Sequence, residues 1–168
     1  MQRIIKDGRI VEDAWQVVRL AEGGELPDAG MAGACLIPLS LWRSSPAWQS
    51  RGAERTGVWL APDDDPAWLA GQWERVSVVA VDFPAFTDGR GYSLGRLLRE
   101  RHKYAGELRA IGDVWKDQLA FLWQVGFNAF EIKHGKPVEE ALEALASFSG
   151  HYQSTWVQPE PLFRRGIK

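Results

Sequence analysis

The chain has 168 residues, 45% apolar and 25% charged, which fits one folded domain and excludes disordered and collagen-like classes. Its net charge of −2 argues against a general nucleic-acid binder, and its longest apolar run, residues 76–81, is far too short to cross a membrane. Its one cysteine, Cys35, excludes an internal disulfide, a C-x-x-C redox pair and an all-cysteine iron–sulfur site.

The N-terminal string reaches Lys6-Asp7 before any apolar stretch develops. No signal or transit peptide is visible, so a cytoplasmic location is expected. Ile4-Ile5 and Ile10-Val11 flank Lys6-Asp7-Gly8-Arg9, and Asp-Gly between two apolar runs predicts a β-hairpin. Residues 21–33 are rich in glycine and alanine and contain Pro27, the composition of a linker.

Short apolar runs then alternate with helical patterns. The runs 34–39, 57–61, 76–83, 107–111 and 129–132, with a weak last one at 154–157, have the length and the β-branched or aromatic content of buried strands. Cys35 lies inside the first run and reads as a small buried hydrophobe. Trp42 and Trp48, in the segment 41–52 around Ser44-Ser45-Pro46, are less clearly buried and offer a subunit or partner contact, so a homo-oligomer is left open. Asp65-Pro66 reads as an N-cap followed by proline at the first helical position.

Leu94, Leu97 and Leu98 define one helical face, Trp115, Leu119, Leu122 and Trp123 a second, and Val138, Ala141, Leu142 and Leu145 a third. This alternation predicts an α/β fold. The expected sheet is mainly parallel, with five or six strands and βα crossovers, in an open three-layer or half-barrel form. It is preceded by the N-terminal hairpin. The expected organisation is one domain over 1–168, with a hairpin arm and linker at 1–30, an α/β core at 31–157 and a tail at 158–168.

Ligands of parallel sheets bind beyond the carboxyl ends of the strands. Those ends carry Asp63-Asp64-Asp65, Asp82-Phe83-Pro84, Gly112-Asp113 and Lys133-His134. The segment 82–93 is a glycine-rich loop entering a basic helix. Gly89 and Gly91 admit close backbone approach, Ser93 is placed to cap, and Arg90 and Arg96 add positive charge, with Tyr92 between them. Free N–H groups there suit an anion such as sulfate, sulfite, phosphate or a carboxylate. A structural loop with a helix cap, and a partner-contact loop, are the competing readings.

Asp82, Asp88 and Asp113 form a candidate carboxylate cluster for catalysis, although Asp113 fits equally well as the N-cap of the following helix. His102, His134 and His151 lack metal-ligand spacing, so no metal is expected. No nucleophile elbow, P-loop or Ser/His/Asp arrangement occurs.

Several strings carry a resemblance: Asp82-Phe83-Pro84-Ala85-Phe86-Thr87-Asp88-Gly89-Arg90-Gly91-Tyr92-Ser93, Arg99-Glu100-Arg101, 106–114 with Asp117-Gln118, Ile4-Ile5-Lys6-Asp7-Gly8 with Trp15, and 60–65. Together they resemble the bacterial domain of unknown function 934 family, over nearly the whole chain. Members carry the label of an oxidoreductase of sulfite reduction and are encoded beside assimilatory sulfite reductase. Asn128 stands where the resemblance leads one to expect an aspartate.

The resemblance implies a place in sulfur assimilation and sulfite reductase as the partner; it supplies no catalytic residues and no cofactor. Sirohaem-type sulfite reduction needs an iron–sulfur site that one cysteine cannot provide. The reading is therefore an accessory protein, contacting the reductase or binding a sulfur oxyanion through the 88–96 loop. A cofactor-dependent oxidoreductase of the same pathway is the alternative.

Overall fold

A computed structural model describes residues 1–148. The chain opens with β1 (Gln2–Lys6) and β2 (Arg9–Asp13), an antiparallel pair in which Ile4 faces Val11. Asp7 and Gly8 join them with φ of 49° and 74°. A two-residue hairpin turn needs two left-handed residues in a row, which Asp-Gly tolerates. After Ala14 comes β3 (Trp15–Val17), then the 21–33 linker.

The parallel part follows: β4 (Ala34–Pro38), α1 (Leu39–Ser44), α2 (Pro46–Gln49), β5 (Thr56–Leu60), β6 (Val78–Phe83), α3 (Arg90–Glu100), β7 (Glu107–Gly112), α4 (Lys116–Val125), β8 (Ala129–Phe130) and α5 (Val138–Ser147). Five predicted strands thus form within a residue or two of expectation. The sixth, at 154–157, and the tail lie outside the described residues. Asp65 caps a 3₁₀ turn at Pro66–Leu69 by accepting the Ala67 N–H at 2.9 Å, as its sequence suggests.

The sheet differs from expectation. It has eight strands, mixed, in the order β2-β1-β8-β7-β6-β5-β4-β3. Strands β3 to β8 run parallel in chain order, β1 joins β8 antiparallel, and β2 closes the far edge. The hairpin is part of the sheet, and β3 adds an unforeseen strand at the other edge.

The form is a nearly closed barrel, for a simple reason. Laid flat, seven strand spacings would separate β2 from β3 by about 34 Å. Yet Asp13 ends β2, Trp15 begins β3, and Ala14 alone lies between them. Two residue steps reach at most about 7 Å, so the sheet must curl until its edges meet. Counting βα units alone misses this, because three of the eight strands belong to no such unit.

Alternation along the strands divides the core. Facing outward, Cys35, Ile37, Val58, Val79, Leu108 and Phe130 are fully buried in one cluster with Leu39 and Trp42 of α1 and with Leu94, Leu98, Leu119, Leu122 and Ala141 of α3 to α5. Facing inward, Leu36, Val78, Ala80 and Ile111 pack with Trp15, Val17 and Trp59. A Cβ on Gly57 would meet the Leu36 side chain at 2.4 Å, so the interior is tight there. Trp42 and Trp48 are each only 1% exposed, which corrects their reading as a contact surface. The Trp48 indole N–H donates to the Pro27 carbonyl at 3.3 Å and so ties the linker to the helices.

Candidate functional site

The barrel's functional end is set by its parallel strands, whose carboxyl ends share one rim. Each of the three candidate catalytic acids, Asp82, Asp88 and Asp113, lies beside a cation. Asp82, inward at the end of β6 and 6% exposed, takes a two-point contact from Arg19, at 2.8 and 3.2 Å. Asp113 follows β7, pairs with Lys133 at 2.9 Å and accepts the Phe86 N–H at 3.2 Å. It does not cap α4, whose N-cap is Trp115, with the Trp115 N–H donated to Gln118 Oε1 at 2.9 Å.

Asp88 accepts the Arg90 backbone N–H at 3.1 Å and the Arg90 guanidinium at 2.7 and 3.0 Å. The Arg90 hydrogen bonds hold Asp88 below the usual carboxylate range, and Lys133 does the same for Asp113. Acids held ionised in this way are poor proton donors at neutral pH. Asp82, Asp88 and Asp113 each pair with a different cation, Arg19, Arg90 and Lys133.

The glycine-rich loop is closed on itself. Arg90 also contacts Asp63, so its charge is engaged by two carboxylates. Gly89 is the N-cap of α3, and Ser93 lies inside the helix rather than capping it. A Cβ on Gly91 would sit 2.5 Å from the Phe83 ring; the residue is small so that α3 can lie against β6. Tyr92 packs between Phe83 and Phe121, with ring centroids at 5.4 and 4.9 Å, and burial raises its phenol. Arg96 makes a surface pair with Glu100 at 3.4 Å.

Two residues at the same rim escape sequence reasoning. Arg19 follows β3, is half-exposed, and lies 5.1 Å above the Trp59 ring, whose indole N–H donates to the Val18 carbonyl at 2.9 Å. Glu131 follows β8. The pairing of Ala129 with Arg109 puts Glu131 on the inward face two residues on. Burial pushes its carboxyl above the ordinary glutamate range, and its neighbours are Gln2, Arg109, Asp13 and Arg19. The readable signal was charge at alternate positions of otherwise apolar strands, as in Glu107-Leu108-Arg109-Ala110-Ile111.

Glu131 opens on a cleft of about 610 Å³ between the start of β1 and the loop after β8, lined also by Gln2, Arg3, Gly112, Lys133, His134 and Lys136. The loop is a β-turn. Gly135 has φ 81°, and the Lys136 N–H closes on the Lys133 carbonyl at 3.1 Å. Below Glu131, Arg109 joins Asp13 at 2.8 Å and Glu107 at 2.7 Å, while Lys6 reaches Glu107 at 2.7 Å. Among the described residues, His, Cys, Asp and Glu side chains nowhere gather in threes to hold a metal ion. No described helix is long and apolar enough to cross a membrane.

No curated protein and no solved structure matches this chain. Residues 57–163, more than half its length, match the family described as "Bacterial protein of unknown function (DUF934)". That span includes the β6–α3 loop, β7 with Asp113, and the Glu131–Lys136 wall of the cleft, and it agrees with the resemblance carried by the 82–93 and 106–114 strings. The chain belongs to the DUF934 family.

Proposed function

We propose that this chain is an accessory protein of assimilatory sulfite reduction that binds a sulfur oxyanion at the carboxyl-end mouth of its barrel. The pathway rests on the family resemblance. The chemistry rests on one observation: Arg19 is fixed from two sides, by Asp82 and by the Trp59 ring, yet stays half-exposed at the mouth. A guanidinium held in place with free N–H groups loses little conformational freedom when an oxyanion docks on it.

The neighbouring cleft supports the same reading, since Lys133, His134 and Lys136 converge there. The 88–93 loop, with Arg90 engaged by carboxylates, forms the outer rim and is the surface offered to a reductase; Phe86 is exposed beside it. The pairing of Asp82, Asp88 and Asp113 with separate cations favours binding over proton transfer by these three acids.

Calorimetric titration of the full chain with sodium sulfite tests the reading. The parent protein is expected to bind, and Arg19→Gln to weaken binding about tenfold or more, the scale of one charge-assisted hydrogen bond. Absence of binding by the parent, or equal affinity in the variant, refutes it.

A further inference from the structure

The cleft beside Glu131 has a composition that neither the pathway nor the rim ion pairs explain. Its cations are not all spoken for. Arg3 pairs with Glu139 at 2.6 Å and Lys133 with Asp113 at 2.9 Å. Among the described residues Lys136 makes no ion pair, and its ammonium stands 5.4 Å from the Trp115 ring centroid. His134 is likewise exposed on the turn. Glu131 lines the same cleft from the end of β8, deeper than these cations.

An anion drawn in by Lys136 and Lys133 therefore meets a carboxyl. As a carboxylate, Glu131 would repel it at short range in a poorly hydrated place. As a carboxylic acid, it donates a hydrogen bond to an anionic oxygen, a strong interaction. Resting on the anion-binding reading above, we infer that this cleft takes a divalent oxyanion of the sulfate class together with one proton, and that Glu131 carries that proton and donates it as a hydrogen bond to the bound anion.

The surroundings of Glu131 fit this role. Gln2 on β1 hydrogen-bonds to it, Asp13 on β2 opposes its ionisation, and Arg109 on β7 and Arg19 after β3 favour it. Asp82 on β6 engages Arg19, and Glu107 and Asp13 engage Arg109. The two nearest arginines are thus already matched by carboxylates. Lys133, His134, Lys136 and Arg3 face the cleft itself. A second negative charge entering the cleft tips the balance toward the protonated carboxyl.

Sodium sulfate is the probe, because its charge stays constant from about pH 5 to 9. At a pH where free Glu131 has ionised, calorimetry in two buffers of different ionisation enthalpy is expected to show about one proton taken up per sulfate. Affinity should fall about tenfold per pH unit once free Glu131 has ionised. Glu131→Gln should still bind and lose that slope. His134→Gln should keep it, which separates Glu131 from the exposed histidine on the same turn. In the parent protein, the Glu131 carboxyl ¹³C shift should move to its protonated value on adding sulfate.

A slope unchanged in Glu131→Gln, or lost only in His134→Gln, overturns the inference and leaves the anion site standing. A carboxyl shift that does not move overturns it as well. Absence of sulfate and sulfite binding at every pH overturns the site and the inference together.

Discussion

Arg109 on β7 meets Asp13 at the last position of β2, with 2.8 Å between guanidinium and carboxylate and side-chain exposures of 1% and 3%. The two residues lie 96 positions apart in the chain and on non-adjacent strands, so the contact crosses the barrel interior. Asp13 is also the residue before the Ala14 junction. The pair therefore pins the hairpin at the place where the sheet comes round on itself.

Breaking one side of this pair leaves an uncompensated charge indoors. Asp13→Ala is expected to lower the unfolding free energy by about 3–5 kcal/mol, measured by urea denaturation. A loss below about 1 kcal/mol, the value of a surface pair, would show that Glu107 alone suffices to hold Arg109.

Glu131 gives a dependence on pH whose sign can be worked out. An unconstrained glutamate titrates near 4.3, and burial raises Glu131 above its ordinary value. Between the unfolded and folded values the native state holds more protons than the unfolded one. The stability linked to this group is full below the unfolded value and falls as pH rises through the folded one. Glu131→Gln removes that fall, so its stability relative to the parent should grow as pH rises above about 4.3 in urea titrations. A gap that stays constant with pH would contradict this.

The glycines at the start of α3 separate packing from ligand approach. Gly91→Ala forces a methyl to within 2.5 Å of the Phe83 ring, and Gly95→Ala to within 2.3 Å of Phe127. Each is expected to cost about 1–3 kcal/mol through overpacking. Gly89→Ala meets nothing within 4 Å and has a negative φ, so its stability should change by no more than about 0.5 kcal/mol. Thermal denaturation of the three variants gives the ranking directly, and equal losses at all three positions would defeat the packing account.

Arg99, 2% exposed, is the internal tie of α3. Its guanidinium donates to the carbonyls of Gly126, Tyr104 and Gly106 at 2.9, 2.7 and 2.8 Å, and to Asn128 Oδ1 at 3.2 Å. Burial pulls its pKa down to about 10. Arg99→Met keeps the stem but strands these acceptors, and the expected loss is at least about 3 kcal/mol. Arg99→Lys should recover only part of it, because one ammonium cannot reach the forked set; full recovery in urea titrations would show that the fork is dispensable.

The sequence makes the central strands plain, because β4 to β7 are short apolar runs buried on both faces, and Asp7-Gly8 announces its turn. What it hides is long-range pairing. Ile5 opposite Phe130 joins residues 125 apart, and no local pattern reveals that partner. Trp15–Val17 is too short to register as a strand, and its neighbour Ala34 lies beyond a linker that looks unstructured.

The same limit applies at the mouth. Asp82 and Asp113 could be found by reading strand ends, but Arg19 sits in a stretch with no motif and reaches Asp82 across 63 residues. Asn128, where an aspartate was expected, is explained by the fold: its amide oxygen accepts from the Leu108 N–H at 2.8 Å and from Arg99, and its nitrogen donates to Asp7 at 3.0 Å. An aspartate would lose that last donor.

The one-residue step at Ala14 has a consequence for behaviour in a crowded cell. An open sheet of this size would present two rows of unpaired backbone amides and carbonyls, each a template for a strand from another molecule. Here the ends of β2 and β3 guard one another at the junction, and neighbouring chains find less of either row to copy. Closure of the barrel thus works against aggregation as well as forming a mouth.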